Sequence, residues 1–245
     1  SPVAALLREE DRAVGVRLAD GTEVAAGAVL IAAGPWSPAL LDPTGRWRPI
    51  RPVWGVVVEV GLGDPPRHVL EEAEMDAALG QVATIPAPGQ GSASADELGD
   101  GPDAAGDRPD FSLVTAAGRT SLGSTFLEAE PDLDAWVPRL IARGRRFVPG
   151  LATTPHGPVR ACARPLAIDG RPLLGAIPGL SGAFIAAGHG PWGISTGPAS
   201  ARMVADLILG RMVGDPGTIA PELSAARFGP PSAGGDQRQL SGWKT

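Results

Sequence analysis

The sequence predicts a mixed α/β protein, with α+β character, built from buried strands at both ends of the chain and an antiparallel sheet between them. Apolar runs at residues 28–33 and 183–187 are typical of buried strands. Between them, short strand-like segments at 53–60, 81–85, 111–116 and 119–123 favour an antiparallel sheet. Met203, Val204, Leu207 and Ile208 recur at helical spacing and predict an amphipathic helix that ends at Gly210.

Composition indicates a globular protein of ordinary polarity. The 245 residues are 43% hydrophobic and 20% charged, which is enough to form a sizeable core. No apolar run reaches the roughly 18 residues that span a bilayer, and no signal peptide opens the chain. Cys162 is the single cysteine, so an internal disulfide is excluded. We therefore expect a cytoplasmic protein without a membrane partner.

Charge and histidine spacing argue against two classes of partner. The net charge is −6, and residues 86–110 carry six acids and one base, a balance of −5. The remaining chain is nearly neutral, so no nucleic-acid partner is expected. His68, His156 and His189 lie far apart and lack ligand spacing with Cys162, so no metal site is expected.

The front of the chain predicts a hairpin followed by a strand. Residues 14–18 and 22–25 alternate in polarity around Asp20 and Gly21, which is a hairpin signal. The apolar run 28–33, expected to be buried on both faces, then ends in Gly34-Pro-Trp-Ser37. Residues 38–41 can form only a short helix.

The middle of the chain predicts one helix and one insertion. Leu133, Trp136, Val137, Leu140, Ile141, Phe147 and Val148 recur at helical spacing, with Asp132 or Asp134 as the cap. Trp136 and Phe147 are expected in the core. Residues 86–110 lack apolar periodicity and predict a disordered insertion, with a substrate lid as an alternative. Residues 159–164 predict a strand, and 229–245 have the composition of a disordered tail.

The most informative stretch is the glycine-rich loop that follows strand 183–187. Gly188, Gly190 and Gly193 would let the backbone approach a ligand or take positive φ. Ser195 or Thr196 would cap the next helix, with Pro198 in its first turn. Such a helix N-terminus presents free N–H groups and partial positive charge. It suits an electron-rich ligand edge; a tight turn without a ligand is the structural alternative.

The same glycines fit the dinucleotide pattern G-x-G-x-x-G. That pattern also requires a second parallel strand ending in an acidic residue about 20 positions on. Asp206, the nearest acid, lies inside the helix, so a Rossmann site is not favoured.

Three blocks together resemble the FAD-dependent D-amino acid oxidase superfamily, in its glycine oxidase and sarcosine oxidase branch. The apolar strand ending Ala33-Gly-Pro-Trp-Ser37 is similar to the family's Ala-Gly-x-Trp-Ser. Arg164-Pro165 with Asp169-Gly-Arg-Pro-Leu-Leu-Gly175 resembles its Arg-Pro…Asp-Gly-x-Pro-x-x-Gly. The loop 188–195 with its helix is the third block. Their order and spacing match from about residue 14 to residue 228.

The resemblance implies a flavin enzyme that oxidises an amine or amino acid by hydride transfer to FAD. Arg164 matches the arginine that grips the substrate carboxylate, a task that suits a bidentate guanidinium. A structural arginine on the sheet surface is the alternative for this residue. The implied FAD contacts are Gly34, His189, Gly190, Pro191, Trp192, Gly193, Ile194 and Ser195. His189 is expected to shape the loop or touch the flavin rather than act as a base.

The chain also departs from the family. It has no tyrosine, so the tyrosine that assists carboxylate binding in glycine oxidase is absent, and Ala83 stands near its place. Pro191 aligns with a second arginine of that enzyme. No cysteine aligns with the covalent attachment site of monomeric sarcosine oxidase, so FAD should bind non-covalently. Activity is therefore expected to differ from glycine oxidase or sarcosine oxidase in the narrow sense.

The resemblance further implies two interleaved parts. Residues 1–48 and 166–228 would form part of an FAD-binding domain, and residues 49–165 an antiparallel-sheet substrate domain. The family's opening strand and glycine-rich nucleotide turn do not precede Val14. We therefore expect either a fragment or a second chain that supplies this half, with weak or no FAD retention by the chain alone. The alternatives are a non-catalytic subunit of a flavin oxidoreductase complex and a plain α+β module that binds a small anion.

Overall fold

A computed structural model describes residues 1–72, 109–211 and 219–231 of the chain. The strand predicted at 81–85 lies outside these residues, as do nearly all of the insertion at 86–110 and of the tail at 229–245. The chain forms two compact units, one of residues 1–51 with 164–245 and one of residues 52–163.

The first unit opens with a three-stranded antiparallel sheet in the order β1-β2-β3. Its strands are β1 (Val3–Glu9), β2 (Arg12–Leu18) and β3 (Glu23–Ala25). The predicted hairpin is confirmed as β2–β3. Strand β1 was not predicted, because its turn into β2 uses Glu10 at φ 52° instead of the usual asparagine or glycine.

A second sheet of the first unit has the order β10-β11-β4. In it, β4 (Val29–Ile31) runs parallel to β11 (Ala183–Ala187), while β10 (Leu173–Ala176) is antiparallel to β11. Strand β11 packs both of its faces into hydrophobic clusters, as its apolar run predicts. The expectation for β4 is wrong: it is short, it lies at the sheet edge, and Leu30 is 43% exposed there.

Helix α3 (Gly193–Ile208) covers one face of β10 and β11. Its predicted apolar face is confirmed, since Met203, Val204, Leu207 and Ile208 pack with Leu174 and Phe184. The helix ends just before Gly210, whose φ of 63° is the left-handed conformation common after a helix C-terminus. The short helix predicted after Trp36 is α1 (Ser37–Leu41).

The second unit is built on a five-stranded sheet in the order β6-β7-β8-β5-β9. Its strands are β5 (Ile50–Val60), β6 (Leu70–Glu71), β7 (Ser112–Ala116), β8 (Arg119–Gly123) and β9 (His156–Ala167). The pairs β6–β7, β7–β8 and β5–β8 are antiparallel, as predicted. Strands β5 and β9 carry the chain from the first unit into the second and back.

Helix α2 (Leu133–Gly144) packs on this sheet through Trp136, Val137 and Leu140. Asp132 caps it by accepting a hydrogen bond from the Asp134 N–H, as predicted. The prediction for Phe147 is wrong, because the helix ends three residues earlier and this ring is 45% exposed, stacked on Phe111 with 4.3 Å between ring centroids.

Candidate functional site

The loop between β11 and α3 begins with two glycines in the left-handed region. Gly188 has φ 85° and Gly190 has φ 57°. A Cβ added at Gly188 would lie 3.2 Å from the Cβ of Ala167, and one added at Gly190 would lie 3.2 Å from Cδ1 of Leu166. These glycines are therefore required by backbone conformation and by close packing on β9. The positive φ expected of such glycines is confirmed at both positions, and their role as ligand contacts stays a prediction.

The start of α3 also differs from the prediction. Ser195 and Thr196 do not cap the helix; their hydroxyls donate to the carbonyl oxygen of Trp192 at 3.0 and 2.8 Å. Trp192 occupies the N-cap position without a side-chain hydrogen bond, and the first turn contains no acidic residue. Pro198 lies inside the helix instead of in its first turn. The N-terminal N–H groups are thus left without a side-chain cap, which leaves their partial positive charge uncompensated by the helix itself.

His189 fastens the loop to the helix that follows it. Its Nε2 lies 2.9 Å from Oγ of Ser200, a residue that is only 6% exposed. Burial lowers the pKa of His189, so the imidazole is neutral at pH 7. Loop shaping is therefore the role that the contacts of this side chain favour.

Strand β9 contacts the same loop at the two positions that follow Arg164 and Pro165. Leu166, two residues further along β9, forms a β-bridge with His189, and the N–H of Ala167 donates to the carbonyl of Gly188 at 3.4 Å. Side chains two apart on a strand share a face and are separated by about 7 Å along it. Arg164 is half-buried and belongs to the first unit together with the loop.

Gly34 begins a second turn, at the end of β4. Its φ is 58°, and no described atom lies within 4 Å of the position that a Cβ would take. The Cβ side of this backbone is therefore open to close approach, and the contact of Gly34 with FAD stays a prediction. Nearby, the hydroxyl of Ser37 is fully buried and has no hydrogen-bond partner among the described residues.

The family model described as FAD dependent oxidoreductase matches residues 1–207. The chain belongs to this family. Glycine oxidase of Pseudomonas aeruginosa is 29% identical over 221 residues, which are 88% of this chain and 50% of that protein. D-amino acid dehydrogenase of Cereibacter sphaeroides is 30% identical over 221 residues, 90% of this chain and 42% of that protein. The chain thus spans about half the length of these relatives or less.

Two solved structures share the fold. Glycine oxidase of Geobacillus kaustophilus superposes with a TM-score of 0.66 at 23% identity, covering 91% of this chain and 51% of that one. Iminodiacetate oxidase of Chelativorans sp. BNC1 gives 0.64 at 20% identity, covering 94% and 53%. The mixed α/β class predicted from the sequence is confirmed.

The residues present fit the family's cofactor. The open backbone at Gly34 admits close approach of a ligand, and the N-terminus of α3 offers partial positive charge to an electron-rich group. Cys162, the only cysteine, is exposed on β9.

Within residues 1–72, 109–211 and 219–231, no helix could span a membrane and no cluster of potential ligands could hold a metal ion.

Sequence reasoning missed two carboxylates whose roles are structural. Asp169, in the Asp-Gly motif, accepts hydrogen bonds from Arg227 Nε and Nη2 at 2.6 and 3.0 Å. Asp42 is fully buried and accepts from the hydroxyl of Thr44 and from backbone N–H groups of residues 44, 46 and 47. The signal for Asp42 was local, an aspartate before Pro-Thr-Gly, whereas the partner of Asp169 lies 58 residues away.

Proposed function

We propose that the protein binds FAD non-covalently and oxidises a C–N bond of a carboxylate-bearing amine, such as an amino acid. Membership of the FAD dependent oxidoreductase family supports this proposal, and so do relatives named glycine oxidase and D-amino acid dehydrogenase. The observation that carries it is the contact between the end of β9, which holds Arg164, and the loop that opens α3.

In this proposal Arg164 orients the substrate. A guanidinium forms two parallel hydrogen bonds with a carboxylate, which fixes the direction of the bound amine as well as its charge. The bound FAD would accept the hydride from the carbon that carries the nitrogen. The rate of such a hydride transfer depends mainly on how the substrate is oriented against the flavin. The main task of the residues around Arg164 would therefore be to position the substrate, and proton transfer by side chains would matter less.

The loop would hold the electron-rich edge of the cofactor. His189, Gly190, Pro191, Trp192, Gly193, Ile194 and Ser195 line the entry to α3, and Gly34 would contact another part of the same molecule. The uncapped first turn favours negative charge by about 0.3–1 kcal/mol. His189 supports the loop through Ser200, and its neutral imidazole adds no charge of its own.

The test compares Arg164→Ala and Arg164→Lys with the unaltered protein. A panel of amino acids and N-substituted amines is assayed by reduction of an artificial acceptor and by peroxide formation. Loss of a charged hydrogen bond of about 1.5–3 kcal/mol should raise KM for carboxylate-bearing amines about 10- to 150-fold. Arg164→Lys should keep only part of the affinity for the substrate carboxylate, because an ammonium group cannot bind a carboxylate in a bidentate manner.

Arg160→Ala is the matched control. Arg160 lies four residues earlier on the same face of β9, its side chain is 58% exposed, and it pairs with Glu59 at 3.5 Å. Its removal should leave KM within about twofold, as expected for an exposed ion pair. An unchanged KM in Arg164→Ala would show that the carboxylate is bound elsewhere.

A non-catalytic subunit is the alternative function. It predicts that the purified protein oxidises no amine of the panel, and that flavin absorbance co-elutes with it only when a second, flavin-bearing chain is present. Size-exclusion chromatography monitored at a flavin wavelength distinguishes the two functions.

A further inference from the structure

The turn between β9 and β10, residues 168–172, packs around the first glycine of the loop that opens α3. A Cβ added at Gly188 would lie 3.2 Å from the Cβ of Ala167, which precedes the turn, and 3.2 Å from Cδ1 of Leu173, which follows it. The N–H of Ala167 also donates to the carbonyl of Gly188 at 3.4 Å. The two ends of the turn therefore fix where the loop begins.

The turn itself is polar and has few contacts of its own. Residues 168–171 are exposed. Inside the turn, the N–H of Gly170 donates to the carbonyl of Ala167 at 2.9 Å, and the N–H of Arg171 donates to Oδ1 of Asp169 at 3.2 Å. A short exposed turn of this kind moves easily unless another part of the chain holds it.

One side chain from the end of the described chain holds the middle of this turn. Nε and Nη2 of Arg227 donate to the carboxylate of Asp169 at 2.6 and 3.0 Å, and Nη2 donates to the carbonyl of Arg171 at 2.6 Å. Nη1 donates to the carbonyl of Ser224 at 3.0 Å, which ties the guanidinium to its own 3-10 segment, Ala225–Phe228. With a side chain that is only 15% exposed, Arg227 joins both sides of the turn to this segment.

The segment that carries Arg227 is itself anchored in the first unit. Ala225 is fully buried in the same hydrophobic cluster as Ala167 and Leu173. The N–H of Leu174, at the start of β10, donates to the carbonyl of residue 223 at 2.8 Å. The guanidinium is therefore held at a fixed place relative to the strands on either side of the turn.

We propose that Arg227 is a positioning residue that fixes the β9–β10 turn and thereby the placement of Arg164 relative to the loop that opens α3. The inference rests on the proposed function, in which Arg164 holds the substrate carboxylate and the loop holds the cofactor. Arg164 shares a face of β9 with Leu166, about 7 Å along the strand, and Leu166 forms the β-bridge to His189. A small shift of this end of β9 against the loop would misalign the substrate without releasing its carboxylate, and such a shift slows a reaction that depends on orientation.

The kinetic test compares Arg227→Gln and Asp169→Asn with Arg164→Ala, with turnover expressed per folded protein at temperatures well below unfolding. Each of the first two changes should lower kcat for carboxylate-bearing amines about 10- to 100-fold, because alignment is lost. They should leave KM within about threefold, whereas Arg164→Ala should raise KM. The double variant should be within about twofold of the slower single variant, because the two side chains act as one unit. Arg227→Lys keeps the charge but not the fork of donors, so it should keep part of kcat.

Hydrogen exchange gives a second readout that needs no turnover. Arg227→Gln should speed amide exchange about tenfold in peptides that cover residues 166–173 and 186–192, as expected for a local opening. Peptides from β1, β2 and β3 should exchange as in the unaltered protein. A general loss of stability would instead speed exchange throughout the first unit.

Arg17→Gln is the matched control, because it breaks an arginine–carboxylate pair of the same unit in which Arg17 is 44% and Glu23 55% exposed. It should change neither kcat nor KM nor the exchange of either peptide. If Arg164→Ala raises KM while Arg227→Gln leaves kcat and both peptides unchanged, the inference is overturned and the proposed function stands. Faster exchange throughout the first unit of Arg227→Gln, with kcat per folded protein unchanged, also overturns the inference alone. If the unaltered protein oxidises no amine of the panel, both are overturned.

Discussion

The ion pair between Asp169 and Arg227 is predicted to stabilise the first unit. Arg227 Nε and Nη2 contact the two carboxylate oxygens at 2.6 and 3.0 Å, and the same guanidinium donates to the carbonyls of Arg171 and Ser224 at 2.6 and 3.0 Å. The side chains are 15% exposed for Arg227 and 35% for Asp169. This pair therefore joins the turn after β9 to the 3-10 segment Ala225–Phe228.

The magnitude follows from the number of contacts and their exposure. Single charged hydrogen bonds contribute about 1.5–3 kcal/mol, and partial exposure of Asp169 reduces each of them through solvent screening. Arg227→Ala also removes the hydrogen-bond donor of the Arg171 and Ser224 carbonyls, which must then bind water. We expect a loss of about 2–3 kcal/mol in the free energy of unfolding for Arg227→Ala and about 1–2 kcal/mol for Asp169→Asn. In a double-mutant cycle the two changes should couple by about 1–2 kcal/mol.

The assay is urea unfolding followed by tryptophan fluorescence, with Arg17→Gln as the matched control. Arg17 Nε and Nη2 donate to Glu23 at 3.0 and 2.9 Å, but the two side chains are 44% and 55% exposed. An exposed pair of this kind should contribute less than about 1 kcal/mol. Equal losses for Arg227→Ala and Arg17→Gln, or additive losses in the cycle, would refute the reasoning.

The pH dependence of this pair has a definite sign. Burial alone would raise the pKa of Asp169, but the hydrogen bonds from Arg227 and the Arg171 N–H outweigh it, so its pKa is lowered. A lowered carboxyl pKa stabilises the fold above the ordinary value near 4, and that stability is lost as the pH falls through the folded pKa. The stability difference between the unaltered protein and Asp169→Asn should therefore be full at pH 7 and shrink below about pH 4.

Three further predictions concern single side chains. Gly188→Ala should lower the free energy of unfolding in urea by about 1–3 kcal/mol, because it strains a φ of 85° and its methyl presses on Ala167. Gly197→Ala is the control, because no described atom outside the helix backbone lies within 4 Å of the new methyl, and it should raise the free energy of unfolding by up to about 1 kcal/mol. Gly144→Ala should lose about 1–3 kcal/mol in the same assay, since the new methyl would lie 2.8 Å from Leu151 Cδ1. Asp42→Asn should lower the midpoint of thermal unfolding at pH 7, and this difference should shrink as the pH falls below about 4. Burial would raise the pKa of Asp42, but hydrogen bonds from Thr44, Trp47 and Arg46 outweigh it, so the pKa is lowered. A difference that does not change with pH would contradict this.

Elements with a strong period were predictable from the sequence alone. The β2–β3 hairpin, the helix capped by Asp132 and the amphipathic α3 each repeat a pattern whose physical cause is local. Strand β1 was missed because its turn depends on Glu10, a residue that carries no turn signature. The short strand β10 was missed because only two residues separate the turn at Gly170 from Leu173.

The candidate site residues could be named from the sequence, but not the contacts that each of them makes. The loop after β11 stands out by its glycines and Arg164 by a family pattern, and neither signal says what each side chain touches. Gly188 and Gly190 prove to be packing glycines, while Gly34 is the position with open space beside it. This distinction depends on Leu166 and Ala167, which approach the loop only after β9 and β11 have come together, so no reading of the local sequence could have made it.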